Sequence, residues 1–228
     1  MTPYKFKSGP WSSHGQILRL ADAWPRTFRI LEVGTAEGYL GRALRARGFA
    51  QVVGIERDAQ LAAEAQPHYA RHVAADAERD GTLEALGTFD AVILADVLEH
   101  LREPQVHLQR VGRVVRSGGH VVVSLPNAVH WTMRLMVLFG RFDYAPCGLM
   151  DAGHVRFFTR RTATQLLEAS GFRVRRVLVT PLPFERAAGG RLPGWVVRPL
   201  EWGYYAVSRC WSTLLAYQFI FLAQRQDS

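Results

Sequence analysis

Ile30-Leu31-Glu32-Val33-Gly34-Thr35-Ala36-Glu37-Gly38 is an apolar run that ends in a turn carrying two glycines. The run reads as a buried strand, and the turn as the lead into a helix that starts near Leu40. A turn of this kind aims backbone amides at a ligand. Gly34 lets the backbone approach that ligand closely, and Gly38 permits tight packing where the helix begins. A dinucleotide fingerprint would place glycine at positions 34, 36 and 39. The sequence has Gly34, Ala36 and Tyr39, which argues against a nicotinamide or flavin cofactor.

Outward from this motif the chain alternates β-rich runs with helical patterns, the signature of an α/β doubly wound sheet. Strands are expected at Phe28 to Val33, Gln51 to Ile55, His72 to Ala75, Phe89 to Ala95, His120 to Leu125 and Arg173 to Val179. Helices are expected at Ser13 to Trp24, Leu40 to Arg47, Ala59 to Ala65, Pro104 to Val115 and Arg160 to Ser170. Gly48, Gly118 and Gly171 stand where a left-handed carboxyl-terminal cap is needed, and Thr159 stands where it caps an amino terminus. Two stretches exceed the alternation: 127–158, holding a helix around His130 to Phe139, and 181–216, holding one around Trp195 to Leu215. Insertions of that length usually carry function, and the first reads as a lid over an acceptor.

The 228 residues suit one domain spanning 1–228, and 48% hydrophobic with 21% charged residues is the balance of a folded protein. Two cysteines, Cys147 and Cys210, with no Cys/His cluster at ligand spacing, predict neither a disulfide framework nor a metal. A reducing, cytoplasmic setting fits, and Met1 to Pro10 has no apolar core of a signal peptide. The net charge of +8 is compatible with nucleic acid, an anionic membrane surface or an acidic small molecule, but no run of five basic residues occurs. Trp202 to Ala223 is apolar enough to invite comparison with a membrane span. Its Ser208, Arg209, Ser212, Thr213 and Gln218 divide it instead into a helix to Ser212 and a last, antiparallel strand from Ala216 to Ala223. Pro199 is expected to interrupt or start a helix there. The aromatics of 195–211, beside Arg191, Arg198 and Arg209, would suit peripheral contact with an anionic membrane; covering the cleft or a subunit contact is the plainer reading.

Three further strand ends carry acidic residues. Glu56 closes Val52-Val53-Gly54-Ile55-Glu56, Asp76 with Ala77 closes the third strand, and Asp96-Val97-Leu98-Glu99-His100 follows the fourth. One carboxylate can accept from both hydroxyls of a ribose, which suits Glu56. Together with Glu32, Gly34 and Gly38, this order resembles the class I S-adenosylmethionine-dependent methyltransferases, with Ala36 replacing an intermediate glycine. The resemblance implies a seven-stranded sheet ordered 3-2-1-4-5-7-6 and S-adenosylmethionine as cofactor. It implies donor contacts from Glu32, Gly34, Thr35, Ala36, Gly38, Glu56, Arg57, Asp76, Ala77, Asp96, Val97 and Leu98. Within it, Asp76 reads the adenine amino group and the neighbouring amide a ring nitrogen. Enzymes that methylate exocyclic amines of nucleic-acid bases carry Asn or Asp, two prolines and an aromatic after the fourth strand, which Asp96-Val97-Leu98-Glu99 does not.

Ser124-Leu125-Pro126-Asn127, Phe142-Asp143-Tyr144, Leu149-Met150-Asp151 and His154-Val155-Arg156-Phe157-Phe158-Thr159 look like a bacterial small-molecule methyltransferase subgroup often associated with cell-surface polysaccharide genes. That resemblance spans Ile30 to Phe172 and implies O-methylation of a small or lipid-linked acceptor such as a sugar. A hydroxyl acceptor benefits from a base, and His154 and His100 are the candidates, each with a purely structural alternative. Arg156 can pair with Asp151 or bind an anionic acceptor, and His130, Trp131 and Met133 belong to the lid or to ordinary helix packing. RNA methylation, resting on charge alone, and a scaffold without catalysis remain the alternatives.

Overall fold

A computed structural model describes residues 9–184 and 193–226. Arg191 and most of Met1 to Pro10, weighed above, lie outside the described residues. In chain order the elements are α1 (Ser13–Ala21), β1 (Arg29–Val33), α2 (Tyr39–Ala46), β2 (Gln51–Glu56), α3 (Ala59–Ala65), β3 (Arg71–Ala74), β4 (Phe89–Ala95) and α4 (Pro104–Val114). Then come β5 (Val115–Pro126), α5 (Trp131–Leu138), α6 (Arg160–Ala169), β6 (Phe172–Thr180), α7 (Gly194–Cys210), α8 (Ser212–Leu215) and β7 (Gln218–Arg225).

The seven strands form one sheet in the order β3-β2-β1-β4-β5-β7-β6. Strands β1 to β5 pair in parallel, while β7 runs antiparallel to both β5 and β6. Side-chain alternation gives the sheet two apolar faces. Leu31, Val33, Val92 and Leu94 enter the core that α4 and α6 cover, with Leu108, Val111 and Leu167. Ile30, Val52, Ala91 and Ile93 enter the opposite core, with Ile17 of α1 and Leu40 and Leu44 of α2. Ser12 caps α1, its side chain accepting from the Gly15 amide at 3.1 Å, and the buried Gln16 amide donates to the Val179 carbonyl of β6. Parallel strands connected through helices bring the carboxyl ends of β1 to β4 to one edge.

Several expectations shift. Strand β5 begins at Val115, five residues before His120, because α4 gives way directly to extended backbone at Val115. Gly118, with φ +68°, therefore serves a kink inside β5 and not a helix cap, whereas Gly48 and Gly171 keep the capping role. Pro199 sits within α7 instead of bounding it. It removes the donor for the carbonyl of Trp195, a residue 78% exposed, where water can replace that bond. The last strand starts at Gln218, two residues later than expected, and is antiparallel as expected. Among the described residues no helix is long and apolar enough to cross a membrane.

Candidate active site

The turn after β1 is held by its neighbours before any ligand is considered. The Gly34 amide donates to the Ile55 carbonyl at 2.9 Å, and the Ala36 amide donates to Glu56 Oε2 at 2.9 Å. Gly34 has φ +73°, and a Cβ there would lie 2.9 Å from Val97 Cγ2. Gly38 has φ +79° at the start of α2, and a Cβ there would lie 2.9 Å from the Ala65 backbone. Ala36 adopts φ +45°, the conformation for which glycine is the usual choice, so its methyl is accepted at some cost in strain. Thr35 is buried, its Oγ1 2.9 Å from His72 Nε2.

Glu56 ends β2 at the same edge. Its Oε2 takes the Ala36 amide and its Oε1 takes the Asp58 amide at 3.1 Å. Each oxygen has a second lone pair, so the carboxylate can still accept from two adjacent hydroxyls. Arg57 beside it is exposed, and Asp58 caps α3 by accepting from the Gln60 and Leu61 amides. Glu32 differs from the expectation. It is 3% exposed, and the Tyr69 hydroxyl donates to its Oε2 at 2.7 Å. Burial pushes its carboxyl up to about 8, opposed by the Tyr69 hydrogen bond. Glu32 supports the turn from within and does not present a surface to a ligand. Tyr69 and His72, which support the same turn, were not singled out in the sequence because each lies outside the recognised motifs.

At the third and fourth strand ends, Asp76 is exposed and its Oδ1 accepts from the Glu78 amide at 2.8 Å. Ala77 packs partly against the core. Asp96 adopts φ +56° and is fixed by two residues far along the chain, on β5 and β7. Ser124 Oγ donates to Asp96 Oδ1 at 2.5 Å, and Gln218 Nε2 donates to the same oxygen at 2.9 Å. Val97 faces Gly34 across the turn, as the Cβ distance above requires. Leu98 is fully buried in the core, so it backs the edge and does not line it.

The acceptor side is assembled from residues far apart in the chain. His100 Nδ1 lies 2.9 Å from the Gly153 carbonyl, and His154 Nδ1 lies 3.2 Å from the Leu149 carbonyl. The two rings meet edge to face at 4.9 Å. Burial, then the charge of His100, lowers the pKa of His154, which keeps its imidazole neutral at neutral pH. Asp151 is buried, and its Oδ1 accepts from the Gly153 amide at 2.7 Å. Arg156 does not pair with Asp151: its guanidinium donates to the Arg102 carbonyl at 2.6 and 3.1 Å, because the loop turns it toward α4.

His130 departs furthest from its expected role. It is fully buried, caps α5, and its Nε2 lies 3.1 Å from the Tyr204 hydroxyl of α7. Burial pushes its imidazole down to about 4. Trp131 Nε1 donates to the same hydroxyl at 2.9 Å. These two residues latch α5 to α7, with His130 closed off from an acceptor and Trp131 half-buried; Met133 is buried, against Leu149 and Met150. Glu99, His154 and Phe157 line a narrow crevice. A larger cavity, about 260 Å³, lies to one side at Glu78, Arg102, His107 and Arg110, and none of Gly34, Glu56 or Asp96 lines it. The convergence of strand ends, and not cavity size, marks the site.

A family model described as a methyltransferase domain matches residues 13–177. A ubiquinone biosynthesis O-methyltransferase of Alkalilimnicola ehrlichii is 35% identical over 104 residues, which cover 43% of this chain and 42% of that protein. A probable S-adenosylmethionine-dependent methyltransferase of Mycolicibacterium smegmatis is 30% identical over 153 residues, 65% of this chain and 53% of that protein. The chain thus spans about half the length of these relatives. Among solved structures, a SAM dependent methyltransferase from Archaeoglobus fulgidus superposes with a TM-score of 0.63 at 15% identity, covering 93% of this chain and 92% of that one. An N-methyltransferase from Bradyrhizobium japonicum, in complex with S-adenosyl-l-homocysteine, gives 0.62 at 15% identity, covering 99% and 92%. At these identities the structural likeness speaks for the fold.

Proposed function

The chain belongs to the class I S-adenosylmethionine-dependent methyltransferase family, and on that premise we propose that it methylates a hydroxyl of a small or lipid-linked acceptor such as a sugar. The observation that carries the reading is the meeting at one edge of the left-handed Gly34 turn, the half-used Glu56 carboxylate and the Asp96 carboxylate. The residues fit the donor: Glu56 retains acceptor capacity for the ribose hydroxyls, and Gly34 keeps the turn free of a side chain where a Cβ would meet Val97. When bound, the donor supplies an electrophilic methyl on a sulfonium, which an acceptor oxygen takes in line as the sulfur–carbon bond breaks. Gly34, Thr35, Ala36 and Gly38 would hold it with backbone, Asp76 and Ala77 would read the adenine, and Asp96 and Val97 would close the cleft. His100 and His154 ready the acceptor hydroxyl, which must sit within about 3 to 3.5 Å of the methyl carbon. Asp151 and Arg156 act there by holding the loop that carries His154.

Calorimetry with S-adenosylhomocysteine is the direct test, followed by transfer of labelled methyl to candidate sugars and lipid-linked sugars. One-to-one binding and label on oxygen are expected. An absence of binding at millimolar ligand would remove the reading. Lipid-linked acceptors draw support from one further observation: Trp195 and Trp202 of α7 and Leu138 and Phe139 at the end of α5 are exposed, with Arg198 and Arg209 on the same helix as the tryptophans. On that reading the protein co-sediments with anionic vesicles and less so after Trp195→Ala plus Trp202→Ala. Equal sedimentation of both proteins would leave soluble acceptors.

A further inference from the structure

One ligating atom from each of Glu99, His100 and His154 lies within 4.8 Å of the other two. Two imidazoles and a carboxylate are a ligand set for a borderline divalent cation such as Mn²⁺, Fe²⁺, Co²⁺ or Zn²⁺. Mg²⁺ and Ca²⁺ prefer oxygen ligands throughout. Both imidazoles are preset for this task. Each Nδ1 lies against a backbone carbonyl, Gly153 for His100 and Leu149 for His154. A carbonyl only accepts, so each Nδ1 carries the proton and each Nε2 carries the lone pair. Metal-bound histidines are oriented in this way by the group at their other nitrogen.

The backbone also fixes the two segments against each other. The amides of Val155 and Arg156 donate to the Glu99 carbonyl at 2.9 and 3.0 Å, so the loop bearing His154 is tied to the turn bearing Glu99. Glu99 is 1% exposed and His154 is 7% exposed, and attraction between a carboxylate and a cation is strongest in such a dry setting. Ligand atoms around a first-row cation stand roughly 3 to 3.5 Å apart, so a modest contraction of the cluster closes it on an ion. Glu99 and His100 lie in the short turn that follows β4, which sets the cluster beside the end of that strand.

We infer that Glu99, His100 and His154 bind one divalent transition-metal cation, whose remaining positions take oxygen of the acceptor. Its purpose rests on the methyltransferase reading; its existence does not. The imidazoles then serve as ligands, and the cation lowers the pKa of the acceptor hydroxyl, whose proton leaves to solvent. The oxygen–carbon bond forms as the sulfur–carbon bond breaks, the sulfur departs as a thioether, and the cation keeps its oxidation state.

The test uses full-length, tag-free protein stripped with a chelator and titrated with Mn²⁺, free ion being followed by electron paramagnetic resonance. One ion per chain is expected. Glu99→Gln, His100→Asn and His154→Gln should each weaken it by about tenfold or more, while S-adenosylhomocysteine affinity measured by calorimetry stays within about twofold, which reports an intact fold. Pulsed resonance of the parent should show coupling of Mn²⁺ to imidazole nitrogen, a readout that does not depend on any variant folding. No binding of Mn²⁺, Co²⁺ or Zn²⁺ at millimolar ion, binding indifferent to all three substitutions, or no nitrogen coupling overturns the inference. Cation binding by a parent that does not bind S-adenosylhomocysteine would instead remove the methyltransferase reading and leave the cation site.

Discussion

The edge formed by β1 to β4 and the wall formed by the two insertions both hold polar groups in place, but by different means. At the edge, backbone does most of the holding: Gly34 to Ile55, Ala36 to Glu56 and Asp58 to Glu56 are each contacts between adjacent strands or within one turn. At the wall, side chains from distant segments do it: His130 and Trp131 to Tyr204, His100 to Gly153, Arg156 to Arg102. Held by backbone, the edge requires of the sequence only a few small residues and one carboxylate. A wall of long-range side-chain contacts can vary piece by piece, which suits the half of a transferase that selects its acceptor.

The contrast is broken most severely at Gly34. Valine there meets both a left-handed φ and a contact at 2.9 Å to Val97, so donor affinity should fall by about 100-fold or more, roughly 2.7 kcal/mol. Calorimetry with S-adenosylhomocysteine measures it, and a small loss would mean the turn is not the cradle. Glu56→Ala should cost about 10- to 100-fold in the same assay, since it removes the hydroxyl acceptor and frees the Ala36 amide together. Glu56→Gln should fall between.

Tyr204→Phe tests the wall. It strips the partner from Trp131 Nε1 and His130 Nε2, so urea unfolding should report a loss of about 1 to 3 kcal/mol with donor affinity unchanged. A matching drop in donor affinity would show that edge and wall are not separable.

In pH dependence the halves carry opposite signs. Glu32 has its carboxyl raised from 4.5 to about 8 by burial. Between those values the folded chain holds a proton that the unfolded chain has released, so stability from this group falls as pH rises through that window. His130 is lowered from 6.5 to about 4 by burial. Between those values the unfolded chain takes up a proton that the folded chain refuses, so stability falls as pH drops. Thermal midpoints against pH should flatten above about pH 5 in Glu32→Gln and below about pH 6.5 in His130→Gln. An unchanged profile in either variant would sharpen the comparison by removing that group from it.

Much of the edge is legible in the sequence. Gly34, Glu56, Asp76 and Asp96 stand at strand ends because apolar runs of strand length stop just before them, and both the run and the stop are written in neighbouring residues. Glu32 and Leu98 show the limit of that reading. A strand's last residues alternate between its faces, and which of them reaches a ligand depends on what packs behind, here Tyr69 for Glu32 and the core for Leu98. Gly118 was legible as a turn residue but not as a kink within β5, since nothing local separates a cap from a bulge.

By itself the sequence determined the alternation of strands and helices, the antiparallel last strand and the glycine turn after the first strand, because periodicity and turn chemistry act over a few residues. Only the tertiary structure decided that Glu99 and His100 meet His154, that Ser124 and Gln218 hold Asp96, and that His130 is a buried latch under Tyr204. The first and last depend on where two long insertions come to rest against the sheet and the second on the order of its strands, and both are set by the packing of the whole chain, which no local pattern records.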